Sequence, residues 1–236
     1  MAWFQEWFGE EYLELYSYRD ANEARQQVTF FRQHFGAVRG TVLDLACGTG
    51  RHLGELKRAG YRAAGCDLSF TLLRAGRTRY GALPVTRADM RLLPFRDRTF
   101  AALVNFFTSF GYFSSEAENL HVVHEMARVL RRNAVFLFDY LNVHHELQRM
   151  IDRERRDTPL GDALIERWFD ASDRSFNKRI TIGRKRYLER VRGYDLDEIS
   201  MMFTSCGLGI RDVFGDFHGE EFHNSSPRLI LVGKRE

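Results

Sequence analysis

The stretch Val42-Leu43-Asp44-Leu45-Ala46-Cys47-Gly48-Thr49-Gly50 decides how this 236-residue chain folds. Val42, Leu43 and Leu45 supply the nearly continuous apolar run of a strand buried on both faces. Gly48 and Gly50 follow at once. Lacking a Cβ, they let the chain turn tightly and let a ligand approach bare backbone. Arg51 to Gly60 then reads as a helix, whose first amides are unpaired donors facing a crevice. Strand, glycine turn and helix start together make a nucleotide-site loop.

The spacing narrows the choice of nucleotide. A dinucleotide loop carries G-x-G-x-x-G, but counting from Gly48 the third position is Leu53. A phosphate-cradling loop ends in G-K-[ST], and no lysine follows here. What stands in the chain is Asp44-x-Ala46-x-Gly48-x-Gly50, an acid inside the strand leading two glycines. A second short strand ends at Asp67, 19 residues past Gly48. That is close to the spacing of about 20 at which an acid meets ribose hydroxyls in doubly wound folds. Ser69 is placed to cap a helix over Phe70 to Arg79. A third piece, Val85 to Phe95, carries Asp89-Met90 at its strand-to-loop transition. The Met90 thioether is polarizable and suits contact with an aromatic face.

These three pieces in order resemble the class I S-adenosylmethionine-dependent methyltransferases, with Asp44 to Gly50 in the place of their motif I. The strings FTSFGYF (107–113) and GDF…SPRLILVGK (215–234) resemble a bacterial subgroup whose substrates are mostly unassigned. The similarity spans nearly the whole chain and is weakest in residues 151–192. It implies an α/β fold, a Rossmann-like seven-stranded methyltransferase sheet with an antiparallel last strand. It also implies an N-terminal helical lid over 1–36, the main domain over 37–150 and 193–236, and an inserted β-rich substrate cap over 151–192. S-adenosyl-L-methionine is the implied cofactor, held by Asp44, Ala46, Cys47, Gly48, Asp67, Leu68, Asp89, Met90 and Asn105. In this family an acid at the third strand's end bonds the adenine amino group and the next residue stacks on the ring, positions filled by Asp89 and Met90. An N-terminal helix folds over the cofactor in related enzymes, which brings in Tyr16 and Arg19. An aromatic face attracts a sulfonium cation, and an arginine can fork a carboxylate. Tyr112, Asn142 and Arg228 are the substrate-binding candidates.

Taken in order, Trp3 to Tyr18 is aromatic and acidic at near-helical spacing, with Trp3, Phe4 and Phe8 read as core packing. Asp20-x-x-Glu23, Ser115-x-x-Glu118 and Asp195-x-x-Glu198 are capping boxes that predict helices to about Phe35, Leu130 and Cys206. Thr99 to Phe106 and Val135 to Tyr140 read as the fourth and fifth strands. Asn105 to Tyr112 should line the reactive end of the crevice, because the first and fourth strands of such a sheet flank its switch point. Where the family often has Pro-Gly-Gly before the fifth strand, this chain has Arg131-Arg132-Asn133-Ala134. His144 to Pro159 reads as helical and then charged, and Ala163 to Arg192 as two or three antiparallel strands over the crevice. Gly209 to Phe217 and Arg228 to Lys234 make a closing antiparallel pair. The loop between them is long enough to reach toward the active site.

Composition bounds the rest. The net charge is +3, with 35 basic and 32 acidic residues, so no strong nucleic-acid field is evident. Cys47, Cys66 and Cys206 are odd in number and lack metal spacing, so reduced thiols in a cytoplasmic protein are expected and no metal site is indicated. No apolar run approaches 18 residues and no leader pattern opens the chain. The expected activity is methyl transfer to an N or O nucleophile of a small molecule, by a monomer or homodimer. A non-catalytic cofactor-binding module, or an RNA or protein methyltransferase, is the alternative. Tyr112, Asp139, His144, His145, His218 and His223 are the groups able to take a proton from an acceptor. None of them is singled out as a base by its sequence context.

Overall fold

Apolar runs alternating with helical segments predict a parallel sheet covered on both faces. The computed structural model, which describes residues 2–18 and 21–236, has such a sheet. The chain begins with α1 (Trp3–Trp7), α2 (Glu10–Leu15) and α3 (Ala21–Phe35). It then runs β1 (Thr41–Leu45), α4 (Arg51–Arg58), β2 (Arg62–Asp67), α5 (Phe70–Tyr80), β3 (Val85–Arg87), β4 (Phe100–Asn105), α6 (Glu116–Val129) and β5 (Leu130–Leu141). After α7 (Val143–Arg149) come β6 (Arg153–Arg156), β7 (Ala163–Asp170), β8 (Ser175–Ile182) and β9 (Lys185–Arg192). The chain closes with α8 (Leu196–Ser205), β10 (Leu208–Phe214) and β11 (Arg228–Arg235).

The main sheet has the order β10-β11-β5-β4-β1-β2-β3. Strands β1 to β5 run parallel, and β11 pairs antiparallel with both β5 and β10. Side chains alternate across it as strand geometry requires. Val42, Ala102, Val104 and Leu137 face Phe30, Phe31, Leu53 and Leu56 on one side. Leu43, Leu45, Leu103, Phe136 and Phe138 face Val122, Met126, Ile199 and Phe203 on the other. Fully burying each such side chain stabilises the fold by roughly 1.5–3 kcal/mol. The Asp195 box caps α8 in both directions, and Ser69 Oγ accepts the Leu72 amide at the start of α5.

Four local expectations come out differently. The N-terminal stripe is two short helices rather than one, broken at the extended Gly9. Ser115 sits at the start of α6 without a side-chain cap, and Asn119 Nδ2 instead donates to the carbonyls of Phe113 and Ser115. The fifth strand starts five residues early. Leu130 already pairs with Phe100, and the chain absorbs a register shift with Asn133 at φ 60° before Val135 pairs with Ala102. Finally, the inserted sheet has four strands in the order β6-β7-β8-β9, all antiparallel. The extra one, β6, comes from Arg153-Glu154-Arg155-Arg156, whose alternation sends Glu154 toward Arg156 and Arg167 at 3.0 and 2.8 Å. The capping box at Asp20 lies outside the described residues.

Candidate active site

The carboxyl ends of β1, β2, β3 and β4 open into a cleft of about 1350 Å³, its mouth included. It lies where the strand order reverses between β1 and β4. Its floor is the glycine loop, with Gly48 at φ 56° and Gly50 at φ 77°, conformations open to glycine at little cost. A Cβ on Gly48 would meet nothing nearer than Leu72 Cδ1 at 3.8 Å, so the space in front of this backbone is clear. Behind the loop, α5 approaches so closely that a Cβ on Gly76 would stand 2.1 Å from the Thr49 carbonyl. Nothing in the strand-and-turn pattern pointed to Gly76.

Three carboxylates stand around the floor in different states. Asp67 accepts the Gly48 amide on Oδ2 and the Ser69 amide on Oδ1, both at 2.8 Å, so it locks the glycine loop to the end of β2. Burial raises its carboxyl above the usual range, and the amide bonds counter only part of this. Asp44 is 1% exposed, and its Oδ2 has no hydrogen-bond partner. Burial, with Asp67 nearby, pushes its carboxyl up to about 8, against the opposing pull of Arg51. Asp89 is engaged by Arg91 from three directions. Oδ1 takes the Arg91 amide and Nε at 2.9 and 3.1 Å, and Oδ2 takes Nη2 at 2.7 Å. Burial works to raise its carboxyl, but the guanidinium wins and holds it below the usual range. Burial also raises the thiols of Cys47 and Cys66, the latter to about 12, so both stay protonated at neutral pH.

Aromatic side chains form the roof. Phe4, Phe8, Tyr12 and Tyr16 from the N-terminal helices line the cleft with Tyr112. Phe4 and Phe8, expected as core packing, do pack against buried apolar clusters and also belong to the cleft wall, and Trp7 is the fully buried aromatic of the stripe. Ser69 Oγ donates to the Phe8 carbonyl at 2.6 Å and so pins the roof beside Asp67. The Trp3 indole donates to the Tyr112 carbonyl at 3.3 Å, with the two rings edge to face at 5.0 Å. Further out, the roof rests on the inserted sheet. Trp7 Nε1 and Tyr16 Oη both donate to Glu189 Oε1, and Lys178 Nζ bonds both Tyr16 Oη and Glu189 Oε2. The sheet reaches the cleft through these helices, for none of its own residues lines it.

The glycine end carries two residues from the first turn of α4. His52 is buried, shares a 2.5 Å hydrogen bond with Gln27 Oε1 and stacks on Phe106 at 4.3 Å. Arg51 pairs with Glu23 at 2.8 Å and lies 4.8 Å over the Phe107 ring. Phe107 and Thr108 hold φ values of 63° and 56°, strained conformations that cost roughly 1–3 kcal/mol each.

The structure brings together Tyr16, Asp44, Ala46, Cys47, Gly48, Asp67, Leu68, Asp89, Met90 and Tyr112 in the wall of one cleft. It places three other candidates elsewhere. Asn105 is buried at the end of β4, where its Nδ2 ties β4 to the Leu45 carbonyl of β1 at 2.8 Å. Asn142 caps α7 and donates to the carbonyls of His223, Asn224 and Ser226. These bonds fold the 215–227 loop back on itself, and none of that loop lines the cleft. Arg228 pairs with buried Asp139 at 2.7 Å. Arg19 lies outside the described residues. Of the six proton-acceptor candidates named from the sequence, Tyr112 is in the cleft wall; Asp139 is spent on Arg228, and His144, His145, His218 and His223 lie outside the cleft.

Fold and cleft together have the arrangement of the class I S-adenosylmethionine-dependent methyltransferases. Residues 42–133 match the family described as Methyltransferase domain. The Bacillus subtilis (strain 168) protein YqeM is 25% identical over 209 residues, covering 84% of this chain and 85% of its own. The demethylmenaquinone methyltransferase of Corynebacterium kroppenstedtii is 41% identical over 92 residues, which is 38% of this chain and 37% of that one. The structure of the CcbJ methyltransferase from Streptomyces caelestis superposes with a TM-score of 0.77 at 19% identity, covering 90% and 89% of the two chains. That likeness bears on the fold. Residues 42–133 of the chain carry a methyltransferase domain.

The residues present fit the cofactor on one observation in particular. Asp44 Oδ2 is a buried acceptor with no donor, in the wall of the cleft beside the glycine loop. An ammonium group, such as the one on the methionine part of S-adenosylmethionine, is the partner it lacks. Asp67 keeps acceptor capacity beyond its two amide bonds for ribose hydroxyls. Among the described residues no cluster of side chains could hold a metal ion.

Proposed function

We propose that this enzyme moves a methyl group from S-adenosylmethionine to an N or O nucleophile of a small molecule enclosed in the cleft. The buried Asp44 carboxyl, whose Oδ2 has no partner, beside the open face of Gly48 carries the cofactor half of this reading. In it, Asp44 and the Gly48 loop hold the amino-acid end, Asp67 the sugar, and Asp89 with Met90 the purine. The cofactor supplies an already activated methyl group, so no covalent intermediate with the chain is needed. The protein's own work is to orient the acceptor, exclude water and present aromatic faces to a cation. Phe4, Phe8, Tyr12, Tyr16 and Tyr112 suit that task, since they close one side of the cleft with rings.

The acceptor half rests on the shape of the cleft. Its roof and far wall are aromatic, which favours an enclosed small molecule over a polymer lying in an open groove. The name of the Corynebacterium relative denotes a quinone acceptor, a small molecule of that kind. Residues 1–36 act in this reading as the cover, and residues 151–192 as the support on which the cover rests. No helix among the described residues is long and apolar enough to cross a membrane.

Titration calorimetry with S-adenosylhomocysteine and with NAD tests the cofactor. The adenosyl ligand should bind and NAD should not; the reverse would overturn the reading of the glycine loop. Incubation with S-adenosylmethionine and a metabolite library, read by formation of S-adenosylhomocysteine, tests the acceptor. Turnover only on an RNA or protein fraction would refute the small-molecule assignment, and binding without turnover on any fraction would leave a binding module.

A further inference from the structure

We propose that the ion pair of buried Asp139 with half-buried Arg228 is a positioning device that holds the Phe106–Ser109 loop in the shape in which the cleft binds its adenosyl ligand; this rests on the function proposed above. Neither residue lines the cleft. They act through a loop that does, by way of Phe106, Phe107 and Ser109.

The loop cannot hold its shape by itself. Phe107 and Thr108 are consecutive left-handed residues, one bulky and one β-branched, and such side chains resist that conformation. Strain of this kind persists only where surrounding bonds over-determine it. Besides the bond within the loop from Ser109 Oγ to the Phe106 carbonyl at 3.0 Å, four bonds do so, all through one pair. Asp139 Oδ2 accepts the Phe107 amide at 2.8 Å, and the Asp139 carbonyl accepts the Thr108 amide at 3.1 Å. Arg228 then donates Nη2 to Thr108 Oγ1 at 2.9 Å and Nε to Asp139 Oδ1 at 2.7 Å. Asp139 is 1% exposed near the end of β5, and Arg228 opens the antiparallel neighbour β11, opposite Leu141. The clamp therefore stands on two strands of the main sheet, and the loop is the part it shapes.

What the loop sets in place is the glycine end of the cleft. The Phe106 ring backs His52, and the Phe107 ring lies under Arg51. His52 and Arg51 form the first turn of the helix that leaves the glycine loop, and both line the cleft. When the loop relaxes, both rings move off the residues they support. Ligand affinity should fall although every residue in contact with the cleft is still present.

The test is calorimetry of S-adenosylhomocysteine binding to the full chain, with far-UV circular dichroism and melting curves as controls. Arg228→Ala and Asp139→Asn should each bind at least about tenfold more weakly, equivalent to about 1.4 kcal/mol. Arg228→Lys should recover part of the loss, because an ammonium lacks the fork that reaches Asp139 and Thr108 together. Adding Thr108→Gly to Arg228→Ala should restore binding toward the wild type, since glycine takes positive φ without the clamp. A merely stabilising pair would not show that recovery in affinity. Thr108→Val, which deletes the Arg228 contact and little else, should weaken binding several-fold, and it serves if Arg228→Ala does not fold. Wild-type affinity in folded Arg228→Ala and Asp139→Asn, or in Thr108→Val, would overturn the proposal, as would no recovery in the double variant. Failure of the wild type itself to bind would instead overturn the adenosyl reading, and the proposal with it.

Discussion

If Asp44 holds the ligand's ammonium group as proposed, cofactor binding should depend on pH. The Asp44 carboxyl is buried, lacks a donor on Oδ2 and titrates at about 8 in the free protein. At about pH 6 it is two units below that value, so only about one molecule in a hundred carries the charge. A ligand ammonium prefers the carboxylate, and binding must then expel a proton. If the bound carboxyl titrates below about 5, affinity rises up to about tenfold per pH unit, or 1.36 kcal/mol, between about pH 5.5 and 7. The window stops there because the ligand's own α-amino group begins to lose its proton near about 7.7–8.0. The assay is calorimetry with S-adenosylhomocysteine across that range, in two buffers of different ionisation enthalpy. About one proton should be released per molecule bound near pH 6, and Asp44→Asn should bind more weakly with neither proton release nor slope. A wild-type affinity flat in pH, with no dependence of the heat on buffer, would refute the reasoning. The same linkage acts on stability. A carboxyl raised in the fold keeps a proton that the unfolded chain has lost, so this group's contribution falls as pH rises from about 4 to about 8. Asp44→Asn should therefore raise the melting temperature of the free protein at pH 7.5 and leave it nearly unchanged at pH 4.

Three further outcomes are expected. Asp67→Ala removes the acceptor of the Gly48 and Ser69 amides and should weaken cofactor binding by about 1–3 kcal/mol with the sheet intact, as calorimetry and circular dichroism would show. Gly76→Val should abolish binding by driving α5 off the Thr49 carbonyl, whereas Gly81→Ala, with open space around it, should leave affinity within about twofold and cost only stability. Glu189→Ala should lower cofactor affinity from outside the cleft, because Trp7, Tyr16 and Lys178 lose their shared partner; unchanged affinity and unchanged protease sensitivity of the first 18 residues would separate roof from support.

The parts of the site that could be read from the sequence are those whose chemistry is local. Asp44, Gly48 and Gly50 occur within one turn of chain, and the strand, loop and helix around them form from their own neighbours. Asp67 was legible because its distance from Gly48 along the chain is set by one intervening helix, and the structure joins the two by a direct bond. Asp89 was legible as a position but not as a state. Its fork with Arg91, two residues on, leaves its oxygens occupied in a way spacing alone does not show.

Residues whose partners lie far away in sequence were read less well. Phe4 and Phe8 share the spacing of a core stripe, and only the docking of α1 against β9 and against Tyr112 and Phe113 places them in the cleft wall as well. Arg228 is an exposed-looking basic residue before an apolar run, and its placement depends on Asp139, 89 residues earlier. Asn105 ends a strand at the switch point, where a cofactor contact was expected, yet the nearest acceptor was the Leu45 carbonyl. The fourth inserted strand was missed because Arg-Glu-Arg-Arg has no apolar member, and its alternation is expressed in ion pairs rather than in burial.

The bond between Trp7 and Glu189 joins residues 182 positions apart. The helices α1 and α2 thus wait for their foothold until Glu189 has been made. Until then the nucleotide loop, built from residues 42–67 and complete much sooner, stands uncovered with its aromatic roof undocked. A nascent chain would hold the donor loosely, and only the finished protein could shut water out.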